Sequence, residues 1–587
     1  MVGHDARLVL PPTVSASEEE LRRNLPAFDD IALSLAEKNG VCVRPMVLKR
    51  IDTTTGRHEF IPVPCGATLE SVCRPCARKS QRLRMMQCRE GWHLDTEPDT
   101  APRAPHPDQE HLIAYRADLL AEYTKAVAEQ QDSTTSELSA EIAWVDTELS
   151  TLGMHGKTPP LPSADTSDGD DGDDDSDDAP ARRHRSTRRR ADATDLPRQP
   201  VDKSRSIGRE YAGRFRPSMF ITLTLDSYGP VHRDDGTPLD RDRYDYRRAA
   251  WDAVSFAALV DRWVQNLRRV IGWDIQYFAA VEPQRRGAPH IHLALRGTVP
   301  REVIREVTRA TYRNIWWPTP DRVVYGRNDA RPVWDHDTTT FLDPDTREPL
   351  LSWDEAVDAI GEDDAPAHVA RFGVQVHYKG ILAGTREADR HIGYLCKYLT
   401  KSVGETLEGA SPRQHAHYDR LHQELCATPC SPRCAVWLAY GIVPKGATRR
   451  MEPGRCKGRA HRRSTLGLPG RRVLCSKRWT GKTLGDHKAD RAAFVRGVLA
   501  AIGIDKPAPD PHRYTWSTIA PGTRIPSRSY LLMAAIAERT AWRLEYDRAL
   551  SAVADPPPPQ PICSATDPQQ TNSDRNAVDS TGDVNVC

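Results

Sequence analysis

The chain has 587 residues and a formal net charge of +1, from 82 Lys and Arg against 81 Asp and Glu. A chain of this length is too long to fold around one hydrophobic core, so we expect about three or four folded units. No run approaches the roughly 18 consecutive apolar residues of a membrane span, so we expect a cytoplasmic protein that does not contact a membrane. Thirteen cysteines, an odd number, favour metal sites over a disulfide framework.

A candidate zinc site lies near the amino terminus. After an N-terminal segment, residues 1–55, with one predicted helix over 18–39, residues 56–100 contain a CRPC sequence with the spacing of a zinc knuckle. A small segment with little core gains folding free energy from such an ion. We predict that four cysteines bind one structural Zn²⁺: Cys65, Cys73, Cys76 and Cys88.

Two segments of contrasting character follow. Residues 108–155 show helical periodicity with a break at Asp132, which predicts a helical hairpin. Residues 156–205 lack periodicity and join an acidic run, DTSDGDDGDDDSDD, to a basic one, ARRHRSTRRR. Low hydrophobicity and block charge predict a disordered linker there.

Residues 206–405 alternate strand and helix patterns, with a predicted insertion at about 316–364 that is rich in Asp, Pro and Thr. The order β, α, β, β, α, β, α predicts an α+β fold with an antiparallel sheet and helices on one face. The predicted strands cover 219–225, 275–281, a histidine-containing strand and 374–378, and the predicted helices cover 249–271, 301–315 and 388–405.

The histidine-containing strand reads VEPQRRGAPHIHLALR over residues 281–296. Because a strand has period two, His290 and His292 project from one face, where two neutral imidazoles make half a divalent-metal site. Glu282 is the first candidate for a third ligand and His377 the second. A pair of surface histidines on an edge strand is the alternative interpretation, and it is common for a bare His-x-His.

A tyrosine pair lies in the sequence ADRHIGYLCKYLTKSVGE, residues 388–405, whose apolar stripe predicts one helix. Tyr394 and Tyr398 are four residues apart and share a helical face, as do Lys397 and Lys401. Either tyrosine can be read as Tyr-x-x-Lys. Two half-buried tyrosines beside solvated lysines would be the structural alternative.

Together with FITLTL at residues 220–225, these stretches resemble the motifs of the HUH-type nucleases. Their residues are most similar to those of the rolling-circle replication initiators of actinobacterial plasmids and integrative elements. The resemblance implies a ferredoxin-like split βαβ fold in which the histidines and Glu282 hold Mg²⁺ or Mn²⁺. One tyrosine would attack a DNA phosphodiester, leaving a 5′-phosphotyrosine and a 3′ hydroxyl. Matching KYLTK to the family's Tyr-x-x-Lys motif makes Tyr398 the nucleophile with Lys401 as its lysine. Matching GYLCK makes it Tyr394 with Lys397, and we rank Tyr398 slightly ahead. A host helicase and DNA polymerase would be partners.

A basic, cysteine-containing region is predicted at 415–500. Between residues 444 and 491 it has 15 Lys or Arg against 3 Asp or Glu, the charge of a phosphate-binding surface. The related initiators carry similar CSPxC and CxGxAH patterns, which favours a second structural Zn²⁺ on Cys430, Cys434, Cys456 and His461, with Cys426 to spare. The candidate DNA-binding residues are Arg449, Arg450, Arg462, Arg463, Arg471, Arg472, Lys477 and Arg478.

The remaining chain predicts a helical region at 510–552 and a disordered tail at 553–587. TGKT at residues 480–483 is no P-loop, because Ser476 stands where the motif requires glycine.

Taken together, the motifs and the resemblance lead us to expect a replication initiator that nicks origin DNA. The alternatives are a conjugative relaxase or transposase with the same chemistry, and a zinc-dependent DNA-binding regulator without enzymatic activity.

Overall fold

The fold is that of a computed structural model. It describes residues 28–98, 107–129, 131–152, 154, 161, 193–208, 210, 216–326, 331–361, 363–407, 411–468, 472–505 and 513–554. Most of the predicted linker and tail lie outside these residues. The chain divides into two compact units, Met1–Cys65 with Lys488–Cys587, and Gly66–His487. Within the described parts, no helix has the length and apolar character needed to cross a membrane.

The secondary structure is mixed. The strands are β1 (Met46–Asp52), β2 (His58–Val63), β3 (Pro217–Leu225), β4 (Gln276–Pro283), β5 (Pro289–Arg296), β6 (Tyr312–Ile315), β7 (Val333–Trp334), β8 (Phe341–Leu342), β9 (Leu351–Ser352), β10 (His368–Leu382), β11 (Ile442–Val443), β12 (Val473–Cys475) and β13 (Tyr514–Ser517). The helices are α1 (Phe28–Lys38), α2 (Glu70–Trp92), α3 (Pro107–Ala128), α4 (Asp132–Thr151), α5 (Tyr246–Ile271), α6 (Arg301–Ala310), α7 (Trp353–Asp358), α8 (Arg386–Cys396), α9 (Val403–Thr406), α10 (Pro412–Ala427), α11 (Leu484–Ala500) and α12 (Arg528–Ala554).

The smaller unit joins the two ends of the chain. Its antiparallel sheet has the order β13-β1-β2, and α1 packs against α12. Buried Ala32 and Ala36 on α1 contact a cluster with Leu532 and Ile536 on α12. The helix predicted over 18–39 is described only from Phe28 onward.

The larger unit is built on a six-stranded sheet with the order β12-β4-β5-β3-β10-β6, in which every neighbouring pair is antiparallel. Strand β5 lies between β3 and β4, which α5 connects. The long strand β10 lies on the other side of β3. In the same unit α3 and α4 form an antiparallel pair with its own small core around Leu119, Ile142 and Val145.

One face of the sheet packs against α5 and α6. Ile221, Leu223, Ile291 and Leu293 alternate along β3 and β5 toward this face and are fully buried, and Trp263 of α5 lies among them. Helix α5 begins where the Asp245 side chain accepts a hydrogen bond from the Arg248 N–H. It ends at Gly272, whose left-handed conformation (φ 73°) suits glycine.

The prediction that helices cover only one face is wrong, because α2 and α8 pack on the opposite face. The intervening positions of the strands are also apolar: Phe278, Ala280 and Ala294 are fully buried there. Both faces of these strands must therefore be covered. The period-two pattern shows which residues share a face, and apolar residues on both faces, such as Phe278 and Ala280 here, are the sequence signal of a sheet covered on both sides.

Two further elements differ from their predictions. The helix expected over 301–315 ends at Ala310, and Tyr312–Ile315 instead forms the edge strand β6 beside β10. The strand expected over 374–378 extends from His368 to Leu382, with an irregularity between Phe372 and Val376. Part of the predicted insertion packs through β9, which pairs with β11.

Candidate active site

Glu282, His290 and His292 come together on the α8-facing side of the sheet. Glu282 near the end of β4 lies directly opposite His290 at the start of β5, and one ligand atom from each of the three residues lies within 4.8 Å of the others. The Nε2 atoms of the two histidines are 2.9 Å apart, and His292 Nε2 is 3.9 Å from Glu282 Oε2. Two imidazoles and a carboxylate converge on one point.

The donor set fits a divalent cation. Burial lowers the pKa of His290 to about 4 and that of His292 to about 3, so both rings are neutral and offer lone pairs at neutral pH. Burial raises the pKa of Glu282 to about 7, whereas the positive charges of Arg472 and Lys397 act to lower it. Glu282 Oε1 is buried and lacks a hydrogen-bond partner among the described residues. A cation would satisfy the carboxylate and remove the conflict between two facing Nε2 atoms.

Strand β3 supports His292. Thr222, its cross-strand neighbour, places Oγ1 2.8 Å from His292 Nδ1, and Phe220 stacks on the imidazole with ring centroids 5.7 Å apart. When Nδ1 donates its proton to Thr222, Nε2 faces the cluster as an acceptor, as metal-ligating histidines require. Sequence reasoning missed Thr222, although the alternation in FITLTL contains the signal.

His377, the second candidate for a third ligand, lies elsewhere on the same row of the sheet. It pairs with Thr222 across β10 and β3, so one full strand separates it from His292. Its side chain is exposed. Glu282 is therefore the candidate that the structure brings to the histidines.

Tyr394 points at this cluster. Its hydroxyl lies 3.2 Å from His292 Nε2, and the two rings meet edge to face with centroids 5.0 Å apart. The residue is 43% exposed, which leaves the phenol accessible to a ligand. Burial raises the pKa of Tyr394, with smaller contributions from Glu282 and Tyr398, so the phenol stays protonated unless a cation stabilises its anion.

Tyr398 has a different environment, because the predicted continuous helix over 388–405 is wrong. Helix α8 ends at Cys396, and residues 397–401 form turns before the separate short helix α9. Lys397 Nζ lies 4.9 Å from the centre of the Tyr398 ring. Lys401, the proposed partner of Tyr398, is exposed. The geometry thus places Tyr394, rather than the sequence favourite Tyr398, beside the histidines.

Cys430, Cys434, Cys456 and His461 form a second group, with ligand atoms within 4.8 Å of one another. Cys430 Sγ is 4.0 Å from Cys456 Sγ, and Cys434 Sγ is 3.4 Å from His461 Nε2. Zn–S bonds of about 2.3 Å in a tetrahedron place sulfur atoms about 3.8 Å apart, so the group fits Zn²⁺. His461 Nδ1 donates to the Leu425 carbonyl (2.8 Å), which turns Nε2 toward the thiols.

The first predicted cysteine site needs correction. Cys88 lies twelve residues beyond Cys76 on α2, about 18 Å along the helix axis at 1.5 Å per residue. It is fully buried in the apolar cluster with Trp92 and Cys396, and burial raises its pKa well above that of an ordinary thiol. In the smaller unit Cys42, which sequence reasoning passed over, accepts a hydrogen bond from the Cys65 N–H at 3.3 Å. A shared ion for Cys65, Cys73 and Cys76 stays a prediction, since Cys65 and the CRPC pair belong to different units.

The comparisons with known proteins give the family. A sequence model described as "Replication initiator protein, pSAM2" matches residues 28–538, most of the chain. The chain belongs to this family of replication initiators. A "Replication initiator protein" from Streptomyces ambofaciens is 25% identical over 333 residues, which cover 51% of this chain but only 64% of that protein. No solved structure matches the chain. The predicted resemblance to replication initiators is confirmed.

Within this family member, the eight candidate DNA-binding residues fall into different environments. Arg449, Arg450, Arg462 and Lys477 are exposed. Three others bind protein groups: Arg463 pairs with Asp419 (2.9 Å), Arg478 pairs with Glu97 (3.0 Å), and Arg472 donates to backbone carbonyls. Arg471 lies outside the described residues. Charge density alone did not distinguish the exposed cations from those that hold the fold together.

Proposed function

We propose that the chain initiates replication by nicking one strand of an element's origin DNA through Tyr394. Membership of the replication-initiator family supports the biological role. The observation that carries the chemistry is the Tyr394 hydroxyl 3.2 Å from His292 Nε2, at the edge of a two-histidine, one-carboxylate cluster. A nucleophile and a metal-binding cluster so close together suit phosphoryl transfer.

In the proposed step the Tyr394 oxygen attacks the scissile phosphorus, and its proton passes to solvent. The bond from phosphorus to the 3′ oxygen breaks, and that oxygen takes up a proton to become a 3′ hydroxyl. His290, His292 and Glu282 would hold Mg²⁺ or Mn²⁺, which supplies polarisation of the phosphate and stabilisation of the phenolate when bound. The 5′-phosphotyrosine conserves the energy of the broken bond, so the strand can be rejoined by reversal without ATP.

Lys397 is close to the cluster but does not distinguish the two tyrosines. It forms the Tyr-x-x-Lys pattern of GYLCK with Tyr394, its Nζ lies 4.9 Å from the centre of the Tyr398 ring, and its positive charge acts on Glu282. The choice of Tyr394 therefore rests on its contact with His292. Tyr398, four residues later, would serve as a second acceptor if the reaction cycle uses two tyrosines. This assignment reverses the order that the sequence favours.

The topology supports the same class of nuclease. The order β4-β5-β3-β10 within the sheet, with α5 linking β3 to β4 and α6 following β5, is that of a ferredoxin-like split βαβ arrangement, the fold expected of HUH nucleases. The tyrosine-bearing α8 covers the face that carries the histidines. We propose this fold for the larger unit.

The remaining components are part of the proposal. The group of Cys430, Cys434, Cys456 and His461 would bind structural Zn²⁺, and the exposed cations of the same region would contact origin DNA. The origin would be double-stranded around the site and single-stranded at the nick. The 3′ hydroxyl would prime a host DNA polymerase, and a host helicase would separate the strands.

The test is covalent capture of DNA. Single-stranded oligonucleotides and supercoiled plasmid carrying the element's own origin are incubated with the wild type, Tyr394→Phe, Tyr398→Phe and the double variant, in Mn²⁺ or EDTA. We expect a protein–DNA adduct in Mn²⁺ only, retained by Tyr398→Phe and reduced by at least about 10³-fold in Tyr394→Phe, because Tyr394 is the phenol that lies against His292 among the residues that the structure describes.

Each other outcome has a definite meaning. Loss in Tyr398→Phe alone would transfer the nucleophile to that residue. Loss only in the double variant would indicate interchangeable tyrosines. Origin binding without an adduct in either DNA substrate would sink the nuclease proposal and leave the zinc-dependent regulator.

A further inference from the structure

The segment that follows Tyr394 leaves several backbone carbonyls to be satisfied. A helix end has up to four carbonyls without an intrahelical partner, and here α8 stops abruptly at Cys396. Gln81 of α2 donates to the Cys396 carbonyl at 2.8 Å, and the Glu70 N–H donates to the Thr400 carbonyl at 2.8 Å. Residues distant in sequence therefore hold the end of the tyrosine helix and the turns after it, together with the local Leu399 N–H, which lies 3.4 Å from the Cys396 carbonyl.

Arg472 donates to two more carbonyls of this segment, one of which, that of Tyr398, also accepts from the Lys401 N–H at 3.2 Å. Its Nη1 donates to the Tyr398 carbonyl at 2.9 Å and to the Lys401 carbonyl at 2.6 Å. The same guanidinium also donates through Nε to the Val281 carbonyl at 3.0 Å. One side chain thus bridges the turns after the tyrosine helix and strand β4.

Arg472 both donates a hydrogen bond to β4, the strand that carries Glu282, and accepts one from it. The Val281 N–H donates to the Arg472 carbonyl at 2.7 Å, so Val281 is held by both its amide and its carbonyl. Val281 immediately precedes Glu282. Arg472 itself stands one residue before β12, the edge strand that pairs with β4. The contacts therefore link the position of the Glu282 carboxylate to that of the tyrosine segment.

These contacts leave Arg472 poorly suited to bind DNA. Its three hydrogen bonds go to protein carbonyls, and its remaining Nη2 atom is buried. The electrostatic interaction between Arg472 and Glu282 shows that the guanidinium charge acts on the metal-ligand carboxylate. A charged donor makes a stronger and more directional hydrogen bond to a backbone carbonyl than a neutral donor does.

We propose that Arg472 is a positioning residue, which sets the tyrosine-bearing segment at its working distance from Glu282, His290 and His292. This inference rests on the proposed nuclease function and assigns to the basic region a role inside the active site, distinct from DNA contact. Cleavage then depends on a residue 78 positions after Tyr394, beyond the Cys430–His461 group.

The first measurement does not depend on cleavage. Arg472→Met keeps an unbranched apolar chain in place of the arginine stem but removes the guanidinium and all its donors, Arg472→Lys keeps the charge, and Arg463→Met removes an arginine of the same region that pairs with Asp419 instead. In the full-length protein without DNA, we expect amide hydrogen exchange over residues 397–403 to rise at least about tenfold in Arg472→Met, because charged hydrogen bonds to that segment are lost. Exchange in α5 should stay unchanged, as should the whole profile of Arg463→Met.

The second measurement is adduct formation under single turnover. Arg472→Met should slow it about 100-fold through misplacement of the nucleophile, with the affinity for origin DNA and its salt dependence unchanged, and Arg472→Lys should recover part of the rate. Unchanged exchange, an unchanged rate, or weaker binding with a smaller salt slope would each overturn the inference. If Arg472→Met does not fold, Arg472→Lys decides by the same criteria. If the wild type forms no adduct, the proposed function fails, whereas the exchange data still decide whether Arg472 fixes the segment.

Discussion

The cluster of His290, His292 and Glu282 depends on a fourth residue that binds no metal itself. Thr222 Oγ1 lies 2.8 Å from His292 Nδ1, and this contact selects the ring form whose Nε2 lone pair faces the cluster. Without it, an imidazole protonated on Nε2 would point an N–H at its partners. Orientation of His292 is therefore a property of the β3–β5 register, in which Thr222 stands opposite His292.

Thr222→Val tests this role at nearly constant side-chain volume. We expect Mn²⁺ affinity at the cluster to fall between about 10- and 100-fold, the usual cost of losing a group that orients a metal-ligating histidine. Isothermal titration calorimetry with Mn²⁺ measures the change on protein that holds only the Zn²⁺ of its cysteine group, because excess Zn²⁺ would compete for the cluster.

Thr224→Val is the matched control for Thr222→Val. Thr224 lies two residues along the same strand and faces the same way, but its hydroxyl donates to the Gln375 carbonyl at 3.4 Å rather than to an imidazole. Equal loss of Mn²⁺ affinity in both variants would show that the strand, and not the hydrogen bond to His292, is responsible.

The proximity of Glu282, His290 and His292 could be predicted from the sequence, because these three candidate ligands lie on adjacent strands within eleven residues of one another. Period-two alternation is sufficient to align His290 with His292, and the short connection places Glu282 opposite. The choice between Tyr394 and Tyr398 could not be predicted in the same way. Both occupy one face of an ideal helix, and only the end of α8 at Cys396 gives them different environments.

Elements were harder to predict where their boundaries depend on distant partners. Gln81 donates to the carbonyl of Cys396, the last residue of α8, and Arg472 donates to the Tyr398 carbonyl in the turns that follow, and no local signal in YLCKYLTK contains that information. The surroundings of Cys88 could not be predicted from local sequence either. Cysteine spacing treats it as a ligand, but the length of α2 carries it away from Cys76 into the core.

The Cys430–His461 group gives an element-level prediction. Cys434 packs with fully buried Trp437, which meets Trp353 with ring centroids 5.0 Å apart, so the thiols and this aromatic cluster form one small core. Cys434→Ser should lower the Zn²⁺ content by one equivalent per chain, lower the melting temperature by several degrees and shift tryptophan emission to the red, because metal binding and local folding are coupled. Elemental analysis and thermal denaturation check these changes.

Cys426→Ser provides the comparison in the same segment. The Cys426 thiol lies 3.6 Å from His422 Nε2, outside the group of four, so zinc content should not change. A loss of zinc from Cys426→Ser, with none from Cys434→Ser, would contradict the ligand set.

At the scale of the whole molecule, a net charge of +1 conceals a region with 15 Lys or Arg against 3 Asp or Glu. Sequence predicts that region but not the use of each cation, because pairing depends on contacts across the fold. Arg478 reaches Glu97, nearly 400 residues earlier, whereas Arg449, Arg450 and Arg462 remain exposed. The exposed arginines are the ones expected to meet DNA phosphates.

Salt dependence separates these two kinds of arginine. Neutralising a phosphate releases counterions, so the affinity for duplex DNA falls with salt in proportion to the number of contacts, by about 0.9 in the log–log slope for each. Arg449→Ala, Arg450→Ala and Arg462→Ala should therefore each reduce the slope for origin DNA by up to about 0.9, whereas Arg463→Ala, whose guanidinium pairs with Asp419, should leave it unchanged. Fluorescence anisotropy over a series of NaCl concentrations gives the slopes. Equal slopes for all four variants and the wild type would place the DNA-binding surface outside this region, and the excess of basic residues would then need a different explanation.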